Sequence, residues 1–201
     1  MATAKKRGVI KIPNWCENEL VVKGEVKELV RFSNFAKTQK SKIDENKFIP
    51  YPEHFKELDD VHREWLKKAD RYADAITKTK RGWYCGDLLT ETQRKSFTDL
   101  HGEQPKDGYN QGGYEWCCNN WGTKWGLCNA EGFINKEKKR IFYNFDTAWS
   151  PPEPLVRKMA EMFPELEFTL KFWESGMGFR GTTKYKAEEP QIVKKKRGFI
   201  E

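Results

Sequence analysis

The sequence predicts an α+β fold in which helices pack on an antiparallel sheet, and three observations predict it. Segments in which apolar and polar residues alternate occur near both ends of the chain, as expected for strands with one buried face. Segments with apolar residues at helical spacing lie between them. The chain has 201 residues, which is long enough to bury a core without disulfides or metals.

The first strand and the first helix follow each other directly. Residues 18–24, NELVVKG, alternate and end in glycine, which predicts a strand. Residues 25–38 predict a helix, because their apolar residues lie near helical spacing. These apolar residues are Val26, Leu29, Val30 and either Phe32 or Phe35.

Residues 48–126 are predicted to form a large, mainly helical insertion. Its clearest element is an amphipathic helix at 57–79, followed by a glycine-rich loop at 101–114 that we expect to be mobile. The predicted buried stripe of this helix is Leu58, Val61, Trp65, Tyr72 and Ile76.

The elements after the insertion are a hairpin, a helix and a strand. Residues 127–134 and 140–149 flank the turn sequence NKEKK and predict the hairpin. Ser150 and Glu153 have the spacing of a capping box at the start of the next helix. The predicted buried face of that helix is Leu155, Val156, Met159, Ala160 and Phe163.

The last predicted elements complete the fold class. Residues 166–173, LEFTLKFW, alternate along a strand, and residues 179–185 predict a short edge strand. Without the insertion, the order is strand, helix, strand, strand, helix, strand. This is the βαββαβ order of a ferredoxin-like sandwich, with the insertion between the first helix and the second strand.

The net charge of +7 is concentrated at the ends of the chain. Residues 1–12 carry four basic residues, residues 184–201 carry a net charge of +3, and the segment between them is neutral. We therefore predict a basic N-terminal extension (1–12), a ferredoxin-like domain (13–183) and a charged C-terminal tail (184–201). Both ends are expected to act as flexible tethers outside the fold.

No stretch of the sequence has the roughly 18 apolar residues that a membrane span needs. The N-terminal segment lacks the apolar run of a signal peptide. We therefore expect a cytoplasmic protein without a membrane partner, whose five cysteines are reduced.

Several phrases together resemble a known protein family. They are PNWCENELVVKG (13–24), FIPYPE (48–53), WGTKW (121–125), FDTAWSPP (145–152), FPELEF (163–168) and WESGMGFRG (173–181). In this order they resemble the YubB ferredoxin-like family of plasmids and bacteriophages, which has no assigned activity. The resemblance implies the fold, a mobile-element origin and hence a bacterial host cell. The adjacent cysteines at 117 and 118 and the basic tail are not part of the family's pattern.

The cysteines do not have the spacing of a metal site. Zinc sites use pairs of cysteines two to four residues apart, and residues 16, 85, 117, 118 and 128 provide no such pair. No cysteine has a histidine partner nearby in the sequence that would activate it as a nucleophile. A site assembled from distant residues, for example Cys16 with Cys128, stays open. We predict buried reduced thiols, no metal and no cofactor.

The stretch WCCNNWGTKW (116–125) allows two interpretations. It is either a helix-to-strand corner whose tryptophans only pack, or the wall of a pocket for a ligand or a partner. In the second case, neighbouring polar groups would line the pocket together with the tryptophans. Glu174, beside a glycine-rich turn, could instead serve to fix that turn. The candidate binding residues are Asn14, Asn18, Trp121, Thr123, Lys124, Trp125 and Glu174.

Nucleic acid is an alternative partner. RNA-recognition modules share the βαββαβ order and stack bases on the open sheet face. Here strand parity places Phe142 and Trp173 on that face among acidic groups, without the motif of those modules. The basic ends could also contact phosphates. The residues concerned would be Lys5, Lys6, Arg7, Lys194, Lys195, Lys196 and Arg197.

These observations lead to one functional hypothesis and two alternatives. We expect a non-enzymatic, mobile-element binding protein whose partner is a host protein or complex, for example a defence complex such as CRISPR. The alternatives are a nucleic-acid binder that uses the basic termini and a binder of small ligands or nucleotides at the tryptophan-rich corner. The sequence does not determine the partner's identity or the oligomeric state.

Overall fold

The computed structural model describes residues 14–77 and 89–187, and the backbone of 189–197. The chain divides into two compact units. The helical unit is Tyr51–Trp116, and the sheet unit contains the described residues up to Pro50 and from Cys117 onward.

The sheet unit contains all six described strands. Short 3₁₀ turns lie at Glu45–Lys47 in this unit and at Tyr109–Gln111 in the helical unit. In chain order the elements are β1 (Trp15–Lys23), α1 (Val26–Ala36), α2 (Glu53–Thr77), α3 (Glu91–His101), α4 (Gly113–Asn120), β2 (Cys128–Asn135), β3 (Arg140–Ala148), α5 (Glu153–Met162), β4 (Glu167–Glu174), β5 (Phe179–Lys186) and β6 (Glu189–Arg197).

The six strands form one sheet in the order β2-β3-β1-β4-β5-β6, and every neighbouring pair is antiparallel. The elements β1, α1, β2, β3, α5 and β4 follow the βαββαβ order, with α2 to α4 between α1 and β2. The predicted α+β ferredoxin-like fold with a helical insertion is therefore confirmed.

The core of the sheet unit lies between one sheet face and the helices α1 and α5. Strand alternation places Leu20, Tyr143 and Leu170 on the buried face, in agreement with the predicted parity. The Phe32 ring of α1 lies 5.0 Å from Phe163 and 5.4 Å from Phe168, measured between ring centroids. Aromatic rings therefore fill much of this core, which matches an aromatic content of 14%. The opposite sheet face, which carries Phe142, is called the open face below.

The C-terminal segment differs from the predicted tail. Residues Glu189–Arg197 form β6, whose backbone pairs with β5. The four basic residues at 194–197 therefore belong to an edge strand, where lysines also discourage pairing with other chains. The expected N-terminal tether, with Lys5, Lys6 and Arg7, lies outside the described residues.

The helical unit has its own small core. Trp65 and Tyr72 of α2 contact Phe97 of α3, with ring centroids 5.2 and 5.1 Å apart. The glycine-rich loop that was expected to be mobile is held to α2, since His62 Nδ1 lies 2.6 Å from the Pro105 carbonyl oxygen. The predicted stripe is only partly correct, because Leu58, Val61 and Ile76 are exposed. Within the described ranges, no helix combines the length and apolar character needed to cross a bilayer.

The predicted capping box is wrong, and a different one is present. The Ser150 hydroxyl donates to the Gly122 carbonyl at 2.7 Å, and the N-cap of α5 is Pro152. Helix α3 begins instead with a capping box formed by Thr90 and Gln93. The Ser150 side chain is used to hold the turn after α4, which is a tertiary role that local spacing does not reveal.

Candidate functional site

The turn after α4 has a fixed shape because its polar groups bond to the strand end beside it. Gly122 has φ of 81°, a left-handed conformation that suits glycine and ends the helix. The Thr123 hydroxyl donates to the Ala148 carbonyl at 3.0 Å. The Trp121 indole N–H donates to the Ile49 carbonyl at 2.9 Å. These bonds bring the next residues, Lys124 and Trp125, beside the end of β3.

The residue directly after β3 has an unusual conformation. Trp149 has φ of 73°, in the left-handed region that bulky side chains rarely adopt. Its backbone N–H donates to the Asn14 carbonyl at 2.9 Å, which holds this conformation in place. The indole remains 46% exposed. A strained backbone that carries an exposed tryptophan indicates a functional position.

Lys124 links two of the tryptophans. Its Nζ lies 3.9 Å from the ring centroid of Trp149 and 5.4 Å from that of Trp125. Trp125 in turn contacts Trp15 edge to face, at 6.2 Å between ring centroids. We call Trp15, Lys124, Trp125 and Trp149 the tryptophan corner. An ammonium group over an indole face is a cation–π contact, which strengthens when water is excluded.

Another exposed tryptophan lies close to this corner. Trp173, which is 48% exposed, pairs with Glu17 in the sheet. Trp15 is two residues from Glu17 on the same face of β1, so Trp173 and Trp15 are diagonal neighbours. The corner therefore extends onto the open face as a surface rich in indole rings.

Four of the seven predicted binding residues are instead internal. Asn18, Trp121, Thr123 and Glu174 are buried. The Asn18 amide donates to the Cys16 carbonyl at 2.7 Å and to the Thr147 hydroxyl at 2.9 Å. Glu174 is 0% exposed and accepts hydrogen bonds from two backbone N–H groups of the following turn, at 2.9 and 2.5 Å. Their polar atoms thus stabilise the fold and do not line a pocket.

Three predicted residues remain at the surface, and the structure adds Trp15 and Trp149 to the corner. Asn14, Lys124 and Trp125 are exposed or half-buried, and only Lys124 and Trp125 belong to the corner by side-chain contact. Sequence reasoning misses Trp149 because it places this residue at the end of a strand. Its position just before Ser-Pro-Pro, where the strand must turn away, is the available signal.

Two of the four described thiols, Cys16 and Cys128, have environments that suppress reactivity, and Cys85 lies outside the described residues. Burial raises the pKa of the Cys16 thiol to about 12, and burial also raises the pKa of Cys128. Cys117 is buried, and Cys118 is partly accessible. Among the described residues, no three His, Cys, Asp or Glu side chains come close enough together to hold a metal ion.

The comparisons with known proteins agree with the fold. Residues 129–196 match a family model described as a ferredoxin-like domain in Api92-like protein. The chain is also similar to the crystal structure of a protein api92 from Yersinia pseudotuberculosis, at 11% identity and a TM-score of 0.50. That similarity covers 94% of this chain and 100% of that chain. No curated protein matches the chain.

The family match supports a ferredoxin-like domain over residues 129–196, which is less than half of the chain. At 11% identity, the similarity to the solved structure concerns the fold alone. The more specific resemblance to the YubB family, and the plasmid or phage origin that it implies, remain predictions.

Proposed function

We propose that this protein acts by binding a partner protein at the tryptophan corner and performs no catalysis of its own. The observation that carries the proposal is the Lys124 ammonium, 3.9 Å from the ring centroid of the exposed Trp149. Residues that dominate protein interfaces are enriched in tryptophan, tyrosine and arginine, which become desolvated on binding. The corner presents tryptophans on a backbone that hydrogen bonds hold rigid, and Lys124 adds a charge beside them.

Three side chains that could take part in catalysis are instead buried or hydrogen-bonded within the fold, which supports binding over catalysis. The Cys16 thiol is buried with a raised pKa, which disfavours the nucleophilic thiolate. The Glu174 carboxylate is occupied by two backbone N–H groups. His62 is bonded to the Pro105 carbonyl oxygen. Each of these groups has a structural role, whereas the aromatic groups of the corner face outward.

The proposed partner is a protein of a bacterial host, met in the cytoplasm. The resemblance to plasmid and phage proteins motivates this part of the proposal. A protein from a mobile element gains by modulating a host system, and a defence complex such as CRISPR is the example that we favour. This step is an analogy from origin and fold.

The test is a capture experiment from nuclease-treated bacterial lysate, with the tagged full chain as bait. Nuclease treatment removes proteins that are bridged by nucleic acid. Proteins enriched by the wild-type bait are identified by mass spectrometry, purified, and their affinity is measured. Trp149→Ala and Lys124→Ala are compared with Leu100→Ala, which alters an exposed residue of α3 far from the corner in sequence.

We expect Trp149→Ala to weaken binding of the purified partner by 2 kcal/mol or more, which is about 30-fold, as for a central interface residue. Lys124→Ala should weaken it by about 1.5–3 kcal/mol, as for a charged hydrogen bond. Leu100→Ala should bind like the wild type. Equal binding by all four proteins, with unchanged melting temperatures, would reject the corner as the docking site.

A further inference from the structure

A row of side chains crosses five of the six strands on the open face. The register places Phe133, Phe142, Val21, Thr169 and Lys184 on five successive strands. Four steps between strands at about 4.8 Å give a row of roughly 19 Å. The row contains two aromatic rings at one end, a lysine at the other and no acidic residue.

The aromatic end of this row is exposed. Phe133 and Phe142 stack with ring centroids 5.3 Å apart and an interplanar angle of 22°. Phe133 is 60% exposed, so this end of the row is accessible from solvent. Stacked rings on an open sheet face are suited to stacking with the bases of an unpaired nucleic acid strand.

A cleft with two lysines adjoins the aromatic pair. It has a volume of about 490 Å³ and lies between residues 38–42 and the edge strand β2. Lys40 and Lys42 belong to one wall, and Phe133 belongs to the other. Hydrogen bonds from the backbone N–H groups of Lys40 and Ser41 to the Thr38 hydroxyl order the lysine-bearing wall.

The other end of the row is basic as well. Strand β5 carries three exposed basic residues, Arg180, Lys184 and Lys186, and no acidic residue. Two acidic side chains beside the row are compensated, since Glu19 pairs with Lys171 at 2.6 Å and Glu167 pairs with Lys23 at 3.6 Å. Glu131, in the cleft wall, adds a negative charge near Phe133. Positive charge at both ends of a neutral row complements the phosphates of a strand laid across the sheet.

We infer that the open face binds single-stranded nucleic acid, with bases stacked on Phe133 and Phe142 and phosphates held by lysines at both ends of the row. Edge lysines alone would not carry this inference, because they also protect sheets from edge-to-edge pairing. The exposed aromatic pair and the lysine-walled cleft do not serve that protection. The row lies at a distance from the tryptophan corner, because Val21 is six residues from Trp15 along β1, which is roughly 20 Å at about 3.3 Å per residue. The inference does not depend on the proposed protein partner.

The inference is tested with fluorescein-labelled oligonucleotides of 20 thymidines (DNA) and 20 uridines (RNA), and with a 20-base-pair duplex. Binding to the full chain is followed by fluorescence anisotropy at 50 and 200 mM NaCl. If four phosphates are neutralised, a slope of about −0.7 per phosphate predicts roughly 50-fold weaker single-strand binding at the higher salt. The two single strands show whether the site prefers DNA or RNA.

Substitutions distinguish the contribution of base stacking to binding from the contribution of charge. Phe133→Ala should weaken single-strand binding by about 5- to 150-fold and leave the salt slope unchanged. Lys42→Gln with Lys184→Gln should reduce the magnitude of the slope by about 1.4, which is 0.7 for each phosphate that is no longer neutralised. Glu131→Gln, in the cleft wall, should strengthen binding several-fold because it removes a negative charge. A gain of affinity cannot result from misfolding.

Two full-length controls carry the same kind of charge change elsewhere. Lys27→Gln with Arg157→Gln alters exposed residues of α1 and α5, on the helical side of the sheet unit, and should bind like the wild type. A variant with glutamine at positions 5, 6 and 7 tests the basic N-terminal segment. The inference is overturned if the wild type does not bind at 50 mM salt, if Phe133→Ala binds normally, if the duplex binds as tightly as the single strands, or if either control accounts for the salt slope.

Discussion

Trp149 combines two unfavourable features at the residue scale. Its backbone is left-handed, which costs a residue with a Cβ atom roughly 1–2 kcal/mol. Its indole is nearly half exposed, so a large part of the hydrophobic gain that full burial would give is not realised. The exposed ring and its cation–π contact with Lys124 favour a role in recognition.

Replacing Trp149 with glycine and with alanine measures the strain directly. Both substitutions remove the indole, but only glycine adopts the left-handed conformation without steric cost. We expect Trp149→Gly to be about 1 kcal/mol more stable than Trp149→Ala in urea unfolding. The reverse order would show that the left-handed conformation is not retained.

For the residues of the predicted site, the sequence indicates which side chains lie near one another. It does not indicate whether each side chain points to the surface or into the core. Lys124 is expected to be at least partly exposed and Trp125 to pack as core, and the structure leaves both side chains half-buried. Thr123 and Asn18 were expected beside them as ligand contacts, but their side chains bond to backbone and hydroxyl groups inside the fold. Short polar side chains can point either way, and the choice depends on partners more than 20 residues away in sequence.

At the element scale, the turn between α4 and β2 depends on a partly desolvated carboxylate. Glu45 accepts a hydrogen bond from the Leu127 backbone N–H at 3.2 Å. Burial raises the pKa of Glu45, although the backbone hydrogen bonds act in the opposite direction. The protonated form is therefore favoured in the folded protein relative to the unfolded chain.

This raised pKa predicts a pH-dependent effect of Glu45→Gln. A raised folded-state pKa means that the group's contribution to stability is present below the unfolded pKa of about 4.3 and is lost as pH rises through the folded pKa. The glutamine amide is always neutral and its oxygen can still accept from the Leu127 N–H, so the variant should melt higher at pH 7.5 and like the wild type near pH 4. Each kcal/mol gained corresponds to about 2–4 °C. The exposed Glu165→Gln is the control, and an equal shift at both pH values would contradict this account.

The edge strand β6 should contribute to stability through its pairing with β5. A chain that ends at residue 187 loses this pairing, and we expect at least 2 kcal/mol of destabilisation in urea unfolding, because several backbone hydrogen bonds disappear together. Deleting only residues 198–201, beyond the strand, is the matched control. If the chain that ends at residue 187 is as stable as the full chain, residues 188–201 act as a tail and do not stabilise the fold.

The sequence predicts well those elements in which apolar residues recur at a regular spacing. The alternation in β3 and β4 identifies both strands and the face that each buries. The sequence does not predict strand β6, because its run of basic residues follows a proline and lacks an alternation of apolar and polar residues. Its structure depends on the partner strand β5, and a single sequence segment does not reveal an available partner.

At the scale of the whole molecule, the helical unit is inserted into a sheet that has its own core. The unit begins and ends at residues that touch, since the rings of Tyr51 and Trp116 lie 5.5 Å apart between centroids. Closely spaced ends are the usual condition under which an inserted segment can be added or removed.

Removing most of this unit should therefore leave a folded sheet. We expect a variant with residues 53–112 replaced by a short glycine-serine linker to unfold cooperatively in urea and to keep the near-ultraviolet circular dichroism of a packed aromatic core. Phe32→Ala in the same shortened chain is the control for a disrupted core. A shortened chain that unfolds without a cooperative transition would show that the sheet requires the helical unit.

The central position of β1 has a consequence for synthesis. Leu20 is paired with Tyr143 and Leu170, which lie 123 and 150 residues later in the chain. At about 5–20 residues per second, the ribosome delivers the first of these partners roughly 6–25 s after β1. During this interval the apolar side chains of β1 have no sheet to enter, whereas the helices of the inserted unit can form from local contacts. The growing chain is therefore expected to present an unpaired apolar strand to chaperones until translation has passed β4.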